Sequence, residues 1–116
     1  HQNSYTEASV SGAQVFYYED SVEGKKLAEI LQEKLSGVME QESRREAKGN
    51  TSYYLLKKTD CPLTIVECGF LSNPREAELL TQEDYQEKMA EAICGGILEY
   101  LEQKGAFADS PAEELP

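Results

Sequence analysis

The residue best suited to chemistry is Glu67, because it ends an apolar run and is followed closely by a glycine. The run from Leu63 to Val66 reads Leu-Thr-Ile-Val, and Gly69 then allows a turn. Ligands of open α/β sheets bind beyond the carboxyl ends of the strands, which is where this carboxylate is expected. Partial burial would raise its pKa toward neutrality, as a general base requires. A glutamate that pairs with an arginine or caps a helix would fit the same position, so position alone leaves both interpretations open.

The only histidine, His1, is a candidate metal ligand. The residues that follow it, Gln2, Asn3 and Ser4, offer no second ligand at a spacing that builds a metal site. Catalytic zinc sites in hydrolases use three protein ligands and a water molecule, which one histidine cannot supply. From spacing alone, His1 is therefore interpreted as a terminus.

Three strands and three helices are predicted around these residues. Runs of β-forming residues predict strands at residues 12–18, 53–57 and 63–67. Apolar residues at helical spacing, together with capping residues, predict helices at residues 21–40, 74–80 and 82–103. The second of these is expected to start at the cap Asn73, with Pro74 in its first turn and Glu76 at its third position. The strand at 63–67 is apolar on both faces, which is typical of a buried parallel strand. Strands that alternate with helices favour an α/β sandwich with a largely parallel sheet.

Composition limits the size of the protein and its partners. The 116 residues, 40% of them hydrophobic, fit one small domain with a single core. The net charge of -11 opposes binding to nucleic acid or to anionic lipid. We expect no membrane contact, since the sequence lacks an apolar run near 18 residues. No secretion signal is recognisable at the start of the chain, so targeting does not reveal the compartment.

The three cysteines are predicted to be unpaired. Cys61, Cys68 and Cys94 are an odd number without metal-binding spacing, so neither a disulfide framework nor a zinc knuckle is indicated. We interpret all three as small core residues, and we expect Cys68 to be buried and poorly reactive.

Five segments occur in an order found in a known enzyme family. They are residues 1–4 (His-Gln-Asn-Ser), 12–17 (Gly-Ala-Gln-Val-Phe-Tyr), 45–48 (Arg-Glu-Ala-Lys), 54–57 (Tyr-Leu-Leu-Lys) and 67–73 (Glu-Cys-Gly-Phe-Leu-Ser-Asn). From His1 to about Tyr100, the chain resembles the zinc-dependent N-acetylmuramoyl-L-alanine amidases of bacterial cell walls. The Glu-x-Gly-Phe-x-Ser-Asn segment is highly specific to that family. Residues 54–57 and 70–77 most resemble the sporulation amidases that help to form muramic δ-lactam in spore cortex.

The resemblance implies roles for individual residues. It makes His1 the third zinc ligand and Glu67 the catalytic glutamate, with peptidoglycan as substrate outside the cytoplasm. The other two ligands, a histidine and a glutamate, have no counterpart in this sequence. Residues 1–104 then correspond to the C-terminal part of a catalytic domain of the phosphorylase/hydrolase-like three-layer type, whose N-terminal half is missing. The chain alone is expected to be inactive.

Other expectations concern the surface of the chain. Arg45 and Lys48 match a basic connection of the family, and we expect them in a solvated loop rather than in catalysis. The role of Asn3 is unassigned, and residues 105–116 are predicted to be a disordered tail. We expect a monomer. The alternative function is a non-catalytic wall-binding or interaction module that retains the amidase fold.

Overall fold

The structure, a computed structural model, describes residues 1–39 and 45–106. Its strands are β1 (Gln14–Tyr18), β2 (Lys48–Asn50) and β3 (Thr64–Glu67). Its helices are α1 (Val22–Met39), α2 (Tyr54–Lys57), α3 (Pro74–Leu79) and α4 (Glu83–Gln103). The predicted α/β class is confirmed, and so are the three predicted helices and the strands at 12–18 and 63–67. Residue 40, the predicted end of the first helix, and residues 107–116 of the predicted tail lie outside the described residues.

The three strands form one mixed sheet in the order β2-β1-β3. β1 runs parallel to β2, with Tyr17 opposite Gly49. It runs antiparallel to β3, with Gln14 opposite Glu67. The prediction of a buried parallel strand at residues 63–67 was therefore wrong in two respects, because β3 is antiparallel to its neighbour β1 and its residues are only half-buried. All four residues of β3 are half-buried, so the apolar run did not indicate full burial on both faces.

The main core lies between β1 and the two long helices. It consists of Ala13, Val15, Ala28, Leu31, Leu35 and Met89. Gly96 of α4 lies directly against Leu31 of α1, since a Cβ atom on that glycine would stand 2.6 Å from the leucine Cδ2. Side chains alternate along a strand, so Phe16 faces the other side of the sheet from Val15. There the Phe16 ring meets the Tyr53 ring edge-on at 5.3 Å.

An ion-pair cluster joins the start of α1 to the end of α4. The Glu23 carboxylate lies 2.6 Å from Lys104 Nζ and 3.1 Å from Lys26 Nζ. The Tyr100 hydroxyl donates a third bond to it at 3.0 Å. The hydrogen bond from Lys104, followed by those from Lys26 and Tyr100, lowers the pKa of Glu23 to about 2. The cluster lies on the surface, where such pairs contribute little to stability.

Two short elements differ from the prediction. The predicted strand at residues 53–57 is the helix α2, and β2 lies in the segment expected to be a surface connection. Asn50 explains the first change, because its side-chain oxygen accepts hydrogen bonds from the N–H groups of Ser52 and Tyr53. These bonds form the turn that leads into α2. Leu56, 2% exposed, then anchors that helix. Lys48–Asn50 becomes a strand through its backbone pairing with β1 rather than through its own residue preferences.

The cysteines are unpaired as predicted, but their positions differ. Cys61 and Cys94 are exposed, and Cys68 is half-buried. The interpretation as core residues was wrong for Cys61, which lies in the loop before β3, and for Cys94, which lies on the outer face of α4. Cys68 packs against the main core, although it is half-buried rather than buried.

Among the described residues, no helix combines the length and the apolar character needed to cross a membrane.

Candidate functional site

Glu67 and His1 meet at one end of the sheet. Glu67 is the last residue of β3, and the first residues of the chain run parallel to the segment that follows it. Cys68 N donates to His1 O at 2.9 Å, and Asn3 N donates to Gly69 O at 2.7 Å. Leu71 N returns a bond to Asn3 O at 2.8 Å. This pairing places the backbone of His1 beside the residue that follows Glu67, although the two lie far apart in sequence.

The Glu67 carboxylate is shielded and incompletely bonded. Its Oε2 atom is buried and has no hydrogen-bond partner in the described part of the chain. No ion pair involves Glu67 in residues 1–39 and 45–106, so the predicted alternative of a partner arginine gains no support. Burial raises the pKa of Glu67. A carboxylate with these properties can take up and release a proton closer to neutral pH than an exposed glutamate can.

His1 is exposed and lines the end of an apolar groove of about 420 Å³. The groove lies between β3 and the helices α1 and α4, with Leu31, Ile65 and Ile97 among its lining residues. Within the described ranges, no three histidine, cysteine or acidic side chains come together as a metal site. His1 is therefore one candidate ligand, placed next to a candidate catalytic carboxylate, and further ligands would have to come from elsewhere.

A second carboxylate, Glu76, lies buried at the same end of the sheet, and the sequence interpretation missed its role. The residue is 6% exposed. Both of its oxygens accept the N–H of Gly12, at 3.0 and 2.8 Å, and Oε1 also accepts the N–H of Phe70 at 2.9 Å. From the sequence, Glu76 was only the third residue of a helix capped by Asn73. That cap exists, since Asn73 Oδ1 accepts Glu76 N at 3.1 Å, but the glutamate side chain reaches two other segments.

Arg45 contacts the same two segments that Glu76 joins, namely the loop before β1 and the residues after β3. This corrects its interpretation as a solvated loop residue. It is half-buried, and its Nε donates to Ser11 O at 2.7 Å. Its guanidinium carbon lies 5.0 Å from the centre of the Phe70 ring, within the range of a cation–π contact. Lys48 is exposed as expected, although it lies in β2 rather than in a loop. The sequence of residues 45–48 did not distinguish the bonded Arg45 from the exposed Lys48, because the partners of Arg45 are distant in sequence.

Comparison with known proteins identifies the family. The sequence profile of the N-acetylmuramoyl-L-alanine amidases matches residues 1–99. The chain belongs to this family. It is 41% identical over 105 residues to the germination-specific N-acetylmuramoyl-L-alanine amidase of Bacillus subtilis, covering 90% of this chain and 44% of that protein.

Solved amidase structures share the fold. The CwlD amidase from Clostridioides difficile, in complex with the GerS lipoprotein, is 44% identical and superposes with a TM-score of 0.84, covering 88% of this chain and 52% of that one. An N-acetylmuramoyl-L-alanine amidase from Clostridium difficile 630 is 30% identical with a TM-score of 0.82, covering 90% of this chain and 56% of that one. The chain thus spans about half the length of the relatives it matches.

Proposed function

We propose that this chain is part of an N-acetylmuramoyl-L-alanine amidase that hydrolyses the amide between the lactyl group of muramic acid and L-alanine in peptidoglycan. The observation that carries the proposal is the shielded Oε2 of Glu67, which has no partner in the described residues; the residue after Glu67 is hydrogen-bonded to the backbone of His1. A buried polar atom without a partner costs stability, so its persistence at a strand end favours a role in chemistry.

Zinc is the cofactor in this proposal, and His1 is one of its ligands. When bound, the ion would lower the pKa of a water molecule and polarise the carbonyl of the scissile amide. His1 fits this role because the residue is exposed and its backbone is bonded to the residue that follows Glu67. A catalytic zinc site uses three protein ligands, and the described residues bring no such group together. The two further ligands would come from residues outside this chain, and this chain alone would bind zinc weakly and lack activity.

Glu67 handles the protons of the reaction. Its raised pKa suits a group that first accepts a proton from the attacking water and then donates one to the departing amine of L-alanine. The backbone bonds between residues 1–3 and 68–71 hold the segment after Glu67 next to His1. One carboxylate therefore serves as base and as acid in turn.

The relatives indicate where the enzyme would act. An amide of peptidoglycan places the reaction in the cell wall, outside the cytoplasm. The relative from Bacillus subtilis is named as germination-specific, which supports a role in spore cortex rather than in vegetative growth. We further propose that the protein acts as a monomer on the wall. The net charge of -11 does not oppose this substrate, because recognition of a neutral sugar–peptide junction depends on local contacts.

A non-catalytic module that binds the cell wall is the second candidate. It is favoured by the lack of a three-ligand group among the described residues. Such a module would keep the fold and the wall location, but Glu67 would then serve no chemical purpose.

Substitution of Glu67 in an intact amidase that contains this chain decides between the two. Glu67→Gln keeps the shape but removes the proton acceptor, so turnover should fall by about 100- to 10,000-fold while bound zinc is retained. His1→Ala should instead reduce the zinc content, measured by metal analysis of the dialysed protein. Glu78→Gln on the exposed side of α3 is the matched control and should match the parent protein. Near-normal release of L-alanine-linked peptides by the Glu67→Gln protein would mean that another group is the base.

A further inference from the structure

We propose that Glu76 is a positioning residue for Glu67: its buried carboxylate holds the segment after Glu67 in register with residues 1–3, which include the candidate ligand His1. The inference rests on the proposed function, because it assigns to Glu76 the alignment of the catalytic base. The carboxylate joins three parts of the chain, namely α3, the loop before β1 and the residues that follow β3.

The local backbone is shaped to bring donors to this carboxylate. Gly12 has a φ of 110°, a conformation that other residues rarely adopt, and its N–H points at both Glu76 oxygens. The conformation of Gly12 therefore favours glycine where the main chain meets the carboxylate. At Gly69, a Cβ atom would lie 3.2 Å from Leu80 Cδ1, so that position is tight against the leucine.

The segment after Glu67 is held from both sides. On one side, Gly69 O and Leu71 N bond to Asn3. On the other side, Phe70 N donates to Glu76. The carbonyl and the N–H of the Gly69–Phe70 peptide thus point in opposite directions, the carbonyl to Asn3 and the N–H to Glu76. Because both of these groups are hydrogen-bonded, the path of the chain directly after Glu67 is fixed too.

The charge of Glu76 matters for this role. No lysine or arginine forms an ion pair with it in residues 1–39 and 45–106, so backbone N–H groups provide its stabilisation. Bonds from N–H groups to an ionised carboxylate are about twice as strong as neutral ones. In the Glu76→Gln protein, the amide nitrogen is itself a donor and would face the N–H of Gly12 or Phe70. At least one of the three contacts would be lost while the side-chain volume stays the same.

The activity test compares Glu76→Gln with Glu78→Gln in the intact zinc-loaded amidase. We expect kcat to fall about 10- to 100-fold in Glu76→Gln, as small misplacements of a catalytic group do, with KM and zinc content unchanged. A purely structural role would lower Tm without changing kcat per folded molecule at low temperature. Glu76→Asp keeps the charge, but its side chain is too short to bridge Gly12 and Phe70. We expect it to lose less kcat than Glu76→Gln. This variant provides the test if Glu76→Gln fails to fold.

The second test does not depend on activity. With Cys61 and Cys94 replaced by serine in the intact protein, the labelling rate of Cys68 reports the opening of the segment between Glu67 and Phe70. Glu76→Gln, or Glu76→Asp, should increase this rate at least several-fold over Glu78→Gln. Parent-like kcat together with parent-like labelling in Glu76→Asp would overturn the proposal. Retained turnover in Glu67→Gln would overturn the proposed function instead, and the Cys68 labelling rates would still test whether Glu76 holds the segment after Glu67.

Discussion

Two glutamates at the same end of the sheet have opposite environments. Glu76 is buried and both of its oxygens accept backbone N–H groups. Glu67 is half-buried, and its shielded Oε2 has no partner in the described residues. The bonded carboxylate is suited to holding structure. The unbonded one lowers stability and remains free to exchange a proton, as reactive groups at functional sites commonly do. The difference predicts opposite responses when each charge is removed.

The largest effect is expected from Glu76→Ala. It leaves the N–H groups of Gly12 and Phe70 without an acceptor, and a buried donor left unbonded costs about 1–3 kcal/mol. The free energy of unfolding, measured by urea denaturation, should fall by roughly 2–4 kcal/mol, whereas Glu78→Ala should change it by about 0.5 kcal/mol or less. If both variants lose the same small amount of unfolding free energy, the bonds to Glu76 do not stabilise the fold.

Removal of the Glu67 charge should increase the free energy of unfolding, in contrast to the loss expected for Glu76→Ala. Because its pKa is raised in the folded state, the folded protein holds this proton more tightly than the unfolded chain does. Glu67 therefore costs stability once the pH exceeds its ordinary pKa, and the cost is complete above the raised folded pKa.

Glu67→Gln should accordingly unfold at a higher temperature than the parent protein near pH 7. The gain in Tm should shrink at about pH 4, where the carboxyl group is protonated in both states to a larger extent. Thermal denaturation at several pH values measures both quantities. A Tm that is lower than the parent value at both pH values would indicate that Glu67 is bonded after all.

The smallest effect is expected in the labelling rate of Cys68, whose thiol lies between the two glutamates in sequence. Cys68 is half-buried, and burial raises the pKa of its thiol. A thiol-specific reagent should label the exposed Cys61 and Cys94 rapidly and Cys68 more slowly, while all three should react alike after denaturation. Equal rates in the native protein would mean that the segment after Glu67 opens readily.

The sequence predicted the elements that carry strong local patterns. The apolar period of residues 21–40 and 82–103 predicted α1 and α4, and Asn73 with Pro74 predicted the start of α3. These predictions succeeded because helix periodicity and capping depend on residues within one or two turns. Glu67 was also singled out from local pattern alone, as an ionisable residue at the end of an apolar strand.

Short segments were predicted less well. The aromatic residues at 53–57 favoured a strand, but the turn made by Asn50 and the burial of Leu56 produced α2. Conversely, Lys48–Asn50 has no strand preference and forms β2 through pairing with β1. In segments of three or four residues, a few contacts with distant parts of the chain outweigh intrinsic preferences.

The sequence by itself determined the α/β class, the unpaired state of the cysteines, and the family to which the chain belongs. The tertiary structure alone decided the directions of the strands, the exposure of Cys61 and Cys94, and the roles of Arg45 and Glu76. The physical reason is the range of the interactions involved. Periodicity and motif are written in neighbouring residues, whereas the bonds from Gly12 and Phe70 to Glu76 join segments that come together only when the chain is folded.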